Sequence, residues 1–231
     1  MTTVSPSQLG ADDLARLYEA RFSDLDEYRK RVWAALVDGF FQKLVPEAGA
    51  ALDIGCGWGG FINNIRAARR LGIDLNPSAR QHLHPGVEFL EQSCSEPWPV
   101  ADGTLDTVFT SNFLEHLPDK TQVKATLAQA FRTLKPGGGL ICMGPNIRYV
   151  GGAYWDFFDH HVPLTELSLK ECLENVGFTV TRCVPRFLPY TMVNARPTPV
   201  VLVRLYLRVP LLWRAMGKQF LLLGEKPMPP K

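Results

Sequence analysis

Apolar positions along this chain change spacing several times, and each change marks an element. Leu14, Leu17 and Tyr18, then Val32, Trp33, Leu36, Val37, Phe40 and Phe41, recur at helical intervals, which predicts a helical region over 11–45 ended by Pro46 and Gly49. Short apolar runs bounded by turn residues predict strands at Ala50–Ile54, Leu71–Leu75, Val87–Glu91, Thr104–Thr110, Leu140–Met143, Phe178–Phe187 and Lys218–Gly224. Amphipathic stretches between them predict helices over Gly60–Arg69, from Asn76-Pro77-Ser78 onward, over Asp119–Leu134 with Lys135-Pro136-Gly137-Gly138 as its stop, and over Leu164–Val176 with Gly177 as its stop. Residues 198–216 are apolar and helix-like but interrupted by Pro210. Strands alternating with helices at these lengths predict an α/β fold with a doubly wound, mostly parallel sheet. Ligands of such sheets sit beyond the C-terminal ends of the strands.

The first strand leads into the most informative run, Asp53-Ile54-Gly55-Cys56-Gly57-Trp58-Gly59-Gly60. Glycines there let the backbone turn sharply and leave room for a ligand against the main chain. Gly55, Gly57 and Gly60 satisfy the G-x-G-x-x-G spacing of dinucleotide-binding loops. Asp53, Gly55, Gly57 and Gly59 satisfy a second pattern, with an acid at the strand end where a pyrophosphate would be repelled. An acid suits a ligand with an ammonium or sulfonium group, which favours S-adenosylmethionine over a nicotinamide dinucleotide. Asp74 closes the second strand, where a carboxylate can accept hydrogen bonds from both hydroxyls of a ribose.

Composition narrows the class. The chain has 231 residues, 46% of them hydrophobic, which suits one well-buried domain over 1–231 with a helical cap at 11–45 and an apolar insert at 198–216. Its 25 basic and 23 acidic side chains leave a net charge of +2, too little to expect a nucleic-acid partner. The five cysteines contain no C-x-x-C pair, so neither a disulfide framework nor a cysteine zinc site is expected. The N-terminal stretch carries Asp12, Asp13, Arg16 and Glu19 in place of an apolar core, so no secretory leader is read and a cytoplasmic location is expected.

Leu52–Gly59, Gly72–Pro77, Asp102–Leu117 and Leu134–Gly139 together resemble the class I S-adenosylmethionine-dependent methyltransferases, with the motifs in the expected order across about 48–184. The resemblance implies a seven-stranded sheet whose last strand is antiparallel. It also implies site residues: Asp53 and the backbone of Gly55 and Gly57, with Gly59 completing the loop, for the methionine part. Asp74 would take the ribose and Leu75 the adenine face. Cys94 and Ser95 would border the adenine edge through their amides, and Asn112 would lie near the sulfonium.

Three histidines are candidates for proton transfer. His116 follows Glu115 after the fourth strand, and His160 and His161 close an aromatic-rich segment, Tyr149–His161, before the next helix. Imidazole titrates in the range a general base needs. No spacing forces a metal site, and none is expected. The expected reaction is methyl transfer to a small-molecule acceptor, foremost a hydroxyl on a sugar, lipid-linked or aromatic metabolite. A nicotinamide-dependent oxidoreductase and a non-catalytic methyltransferase-like subunit are the alternatives. Arg204 and Arg208 share one face of the apolar insert, which could cover the sheet edge, join a dimer, or touch lipid at 199–216.

Overall fold

A computed structural model describes residues 26–190 and 198–229. Its centre is one seven-stranded sheet. The strands are β1 (Ala50–Ile54), β2 (Arg69–Asp74), β3 (Val87–Glu91), β4 (Leu105–Ser111), β5 (Leu134–Pro145), β6 (Thr179–Val184) and β7 (Gln219–Glu225), in the order β3-β2-β1-β4-β5-β7-β6. β7 runs antiparallel to both β5 and β6, and the other pairs are parallel. The doubly wound sheet and its antiparallel last strand are therefore as expected. The order in which strands are added reverses between β1 and β4, so the crevice beyond their C-terminal ends is the switch point where this class of sheet holds ligands.

Alternating side chains give the sheet two buried faces. On one, Leu52, Ile54, Leu71, Ile73 and Val108 pack under helices α2 (Lys120–Thr133) and α3 (Glu166–Val176). Asp119 caps α2 by accepting from the Gln122 N–H at 2.9 Å, and Thr165 with Ser168 forms a capping box on α3. On the other face Ala51, Phe109, Ile141 and Leu221 meet α1 (Asp26–Gly39), α4 (Val200–Arg208) and α5 (Pro210–Met216). Aromatic rings fill that layer: Phe61 stacks on Phe109 at 3.8 Å, and Trp213 meets Phe187 edge-on at 4.9 Å. Each such fully buried ring contributes roughly 1.5–3 kcal/mol. Pro210 does break the insert as expected, standing at the first position of α5, where its missing N–H costs nothing.

Two expectations differ. Gly60–Arg69 is not a helix but a series of turns over 57–64 followed by extended chain. Gly59 takes a left-handed φ of +73°, and Asn63 and Asn64 spend their side-chain amides on the backbone of His82 and Gly60 at 2.8 and 2.9 Å. The Asn64 bond is the local kind that competes with the helical ladder, and the Asn63 bond ties the segment to distant chain. β6 ends at Val184, before Phe187, because Pro185 has no N–H to give the ladder. Of the expected helical region 11–45, α1 and a short turn at Phe41–Leu44 are seen, and 11–25 lies outside the described residues. No described helix is long and apolar enough to cross a membrane.

Candidate active site at the end of the central strands

A cleft of about 440 Å³ opens at the switch point. Its floor is the glycine loop and Asp53 from β1, with Ser111 and Asn112 from the end of β4. One wall is Trp33 of α1, another is the Trp58–His82 stack at 4.4 Å, and the third is Glu115, His116, Phe157, His160 and Tyr190.

The loop geometry follows from its glycines. Gly55 and Gly57 have φ of +63° and +47°, and a Cβ on Gly55 would stand 2.2 Å from the Phe113 ring. Asp74 reaches back to the loop. Its Oδ2 accepts from the Gly57 N–H at 2.8 Å and its Oδ1 from the Asn76 N–H at 2.9 Å. Each carboxylate oxygen keeps a lone pair for a further donor. Burial raises the Asp74 carboxyl above its ordinary range, against the N–H donors of Asn76, Gly57 and Leu75. Asp53 is raised further, first by burial and also by the charge of Asp74, with the Ile62 backbone opposing. A desolvated carboxylate on the cleft floor makes Asp53 a place for a cation. Asn112 adds to it: this residue holds a left-handed φ of 49°, and its amide oxygen is buried with no hydrogen-bond partner. A ligand bearing an ammonium group would satisfy that oxygen.

The other expected cofactor residues divide. Leu75 is 41% exposed, beside Asp74 at the end of β2. Cys94 does not offer its side chain: the thiol lies in the core, and its carbonyl accepts from Trp98 Nε1 at 2.8 Å. The apolar surroundings of this position leave only its backbone for a ligand. Ser95 is half-buried and bonds Ser93 Oγ at 2.9 Å and Gln122 Oε1 at 3.3 Å. Asp74, Leu75, Cys94, Ser95 and His161 do not line the cleft.

The three histidines are now separated. His161 is exposed, and its contribution is a backbone N–H given to the Glu115 carbonyl at 2.8 Å. His160 is buried; its Nδ1 is 2.9 Å from the Tyr154 carbonyl, and its ring stacks on Phe157. His116 places Nδ1 3.1 Å from Asp159 Oδ2 and 3.0 Å from the Asp159 carbonyl. Carbonyl and carboxylate oxygens only accept, so each Nδ1 donates, and in the neutral form of His116 its Nε2 keeps a lone pair. Burial lowers the affinity of His116 for a proton, but the bond to Asp159 and the charges of Glu115 and Asp159 outweigh it, and its pKa is raised. Burial pushes the neighbouring Glu115 up to about 7, with His116 opposing. One ligating atom from each of Glu115, His116 and His160 lies within 4.8 Å of the others. Sequence reasoning missed Asp159 as the partner of His116, although the adjacent Asp159-His160-His161 was visible. Trp33 and Tyr190 gave no local signal, because only the fold carries them to the cleft.

Comparison with known proteins identifies the family. The methyltransferase domain family matches residues 25–182, and the chain belongs to it. A protein of Mycolicibacterium smegmatis named as a probable S-adenosylmethionine-dependent methyltransferase is 31% identical over 157 residues, covering 64% of this chain and 60% of that protein. A ubiquinone biosynthesis O-methyltransferase of Xanthomonas axonopodis pv. citri is 36% identical over 108 residues, 42% of this chain and 44% of its own. The chain thus spans less than two thirds of the curated relatives it matches. Among solved structures, an S-adenosylmethionine-dependent methyltransferase of Archaeoglobus fulgidus superposes with a TM-score of 0.67 at 22% identity, covering 93% of this chain and all of that one. The Haloferax volcanii methyltransferase solved with the Trm112 activator gives 0.69 at 17% identity, over 96% of this chain and 100% of its own. The fold is that of class I S-adenosylmethionine-dependent methyltransferases, and the nicotinamide alternative falls with the family match. S-adenosylmethionine is the cofactor that family uses, and the buried Asp53 carboxylate and the orphan Asn112 oxygen fit it.

Proposed function

We propose that the protein transfers a methyl group from S-adenosylmethionine to a hydroxyl of a small apolar or amphiphilic acceptor, with His116 as the general base. The observation that carries this reading is the Asp159–His116 pair on the cleft wall, which fixes one tautomer and aims the basic nitrogen away from Asp159. Bound S-adenosylmethionine supplies an electrophilic methyl on a sulfonium. Asp53, Asn112 and the loop amides would hold its amino-acid end, and Asp74 would take the ribose hydroxyls through its remaining lone pairs. Trp33, Phe157 and Tyr190 give the acceptor an aromatic enclosure, which excludes water and aligns the nucleophile. The methyl would leave a neutral thioether behind as its carbon–sulfur bond breaks, the acceptor hydroxyl's proton would pass to His116 Nε2, and Asp159 would stabilise the imidazolium. O-methyltransferase relatives support a hydroxyl acceptor.

The test combines calorimetric titration with S-adenosylhomocysteine and transfer of labelled methyl to a panel of phenols, lipid-linked sugars and glycolipids. Binding with an O-methylated product is expected. Absence of binding in folded protein overturns the cofactor reading. Binding with no labelled product from cell extracts points instead to a non-catalytic subunit. Within the wall, His161→Ala is expected to change turnover by less than about threefold, since surface side chains away from special contacts are worth about 0.5 kcal/mol. A larger loss would return the base to His161. Asp74→Ala should weaken S-adenosylhomocysteine about tenfold, the worth of one hydrogen-bonded group of about 1.4 kcal/mol; unchanged affinity would remove the ribose assignment.

A further inference from the structure

Helices α4 and α5 bury one side against the sheet through Tyr206, Leu207 and Trp213, and no described residue covers the opposite side. On that outer side Val201 is 68% exposed, Leu202 50%, Leu205 53%, Leu211 72% and Met216 55%. These are half of the large hydrophobic side chains exposed among the described residues, gathered into two short helices. Arg204, Arg208, Arg214 and Lys218 are exposed among them. No acidic residue occurs between Glu174 and Glu225. Along α4 the spacing puts Val201, Leu205 and Arg208 on one line, with Leu202 on one flank and Arg204 on the other. An apolar strip edged by cations, with no acid in its own stretch of chain, matches a surface that is apolar within and anionic at its rim. A protein partner would need both features on one patch; an anionic bilayer has them everywhere.

We propose that the α4–α5 face seats the protein peripherally on an anionic lipid bilayer, with the leucines in the acyl boundary and the arginines at the headgroup phosphates. The face adjoins the cleft through α1: the Thr198 N–H donates to Tyr28 Oη at 2.9 Å, and Trp33, further along α1, lines the cleft. A docked molecule would thus present one cleft wall next to the bilayer, where an amphiphilic acceptor resides. The docking itself stands independently of the methyl-transfer reading.

The test is co-sedimentation of the full chain with vesicles of phosphatidylcholine alone or mixed with phosphatidylglycerol. Binding is expected only to the mixed vesicles, weakening with salt. Arg204→Gln, Arg208→Gln and Arg214→Gln should each cost about fivefold in partitioning, the effect of one basic residue near an anionic surface. The triple variant Leu202→Glu, Leu205→Glu, Leu211→Glu should abolish binding while leaving the circular dichroism spectrum unchanged. Failure of the native chain to sediment with anionic vesicles overturns the proposal. So does equal binding by the folded leucine variant, or a native dimer in light scattering that this variant converts to monomer. No readout here depends on methyl transfer.

Discussion

Replacing His116 with glutamine is expected to lower turnover about 10²–10⁴-fold, the usual worth of a positioned general base, with S-adenosylhomocysteine affinity nearly unchanged. The pH profile separates this role from a structural one. His116 must be neutral to accept a proton, and its pKa is raised above the ordinary 6.5. Turnover should therefore climb with pH and level off only above that ordinary value. Asp159→Asn removes the acceptor charge that raises the imidazole, so its acid limb should move to lower pH while the plateau falls. Glu115, pushed up to about 7, titrates close by and still donates charge to the site above that pH; Glu115→Gln should move the limb in the same direction by less. A structural role for Asp159 would lower activity without moving the limb. Because Glu115, His116 and His160 stand within 4.8 Å of one another, the native enzyme should also be assayed with a chelator. Unchanged turnover is expected, and loss restored by a divalent ion would replace the base with a metal centre.

The same residues show what a sequence can and cannot disclose. The sheet was legible because each strand is a short apolar run with its own turn residues, and Asp53, Gly55 and Gly57 were legible because their spacing is local. Gly60–Arg69 was misread because its apolar spacing looks helical, while the bonds that undo the helix go from Asn63 to His82, across a strand. Cys94 was placed at the adenine edge by its position, but side-chain direction there depends on the core packed behind it. His116 and Asp159 lie forty-three residues apart in the chain, so no spacing rule could pair them. The adjacent His160 and His161 differ only in which side of the loop each faces, which the backbone bonds from His161 and Val162 to the Glu115 carbonyl decide.

Asp53→Asn is expected to give opposite signs in stability and binding. Burial and the neighbouring Asp74 charge raise the native Asp53 carboxyl well above its unfolded value. At neutral pH and above, the unfolded chain holds this group ionised at no cost, while the folded chain must ionise it in a desolvated place. A raised acid pKa therefore removes stability as pH rises through the native value. The isosteric amide abolishes that penalty, so the cofactor-free variant should melt higher, by the ~0.5–2 kcal/mol typical of such relieved sites, and the gain should fade as pH falls. Binding reverses the sign. A cationic amino group satisfies the carboxylate, and losing a charge-assisted bond of about 1.5–3 kcal/mol should weaken S-adenosylhomocysteine roughly 10–150-fold. Native affinity should itself decline on acidification, beginning above the ordinary carboxylate range, because protonated Asp53 resembles the amide. Calorimetric titration and thermal melts at pH 6 and pH 8 measure both arms. A variant that melts lower and binds equally well would make Asp53 a structural acid held by the Ile62 amide, and the cation site would have to be built from Asn112 and the loop alone.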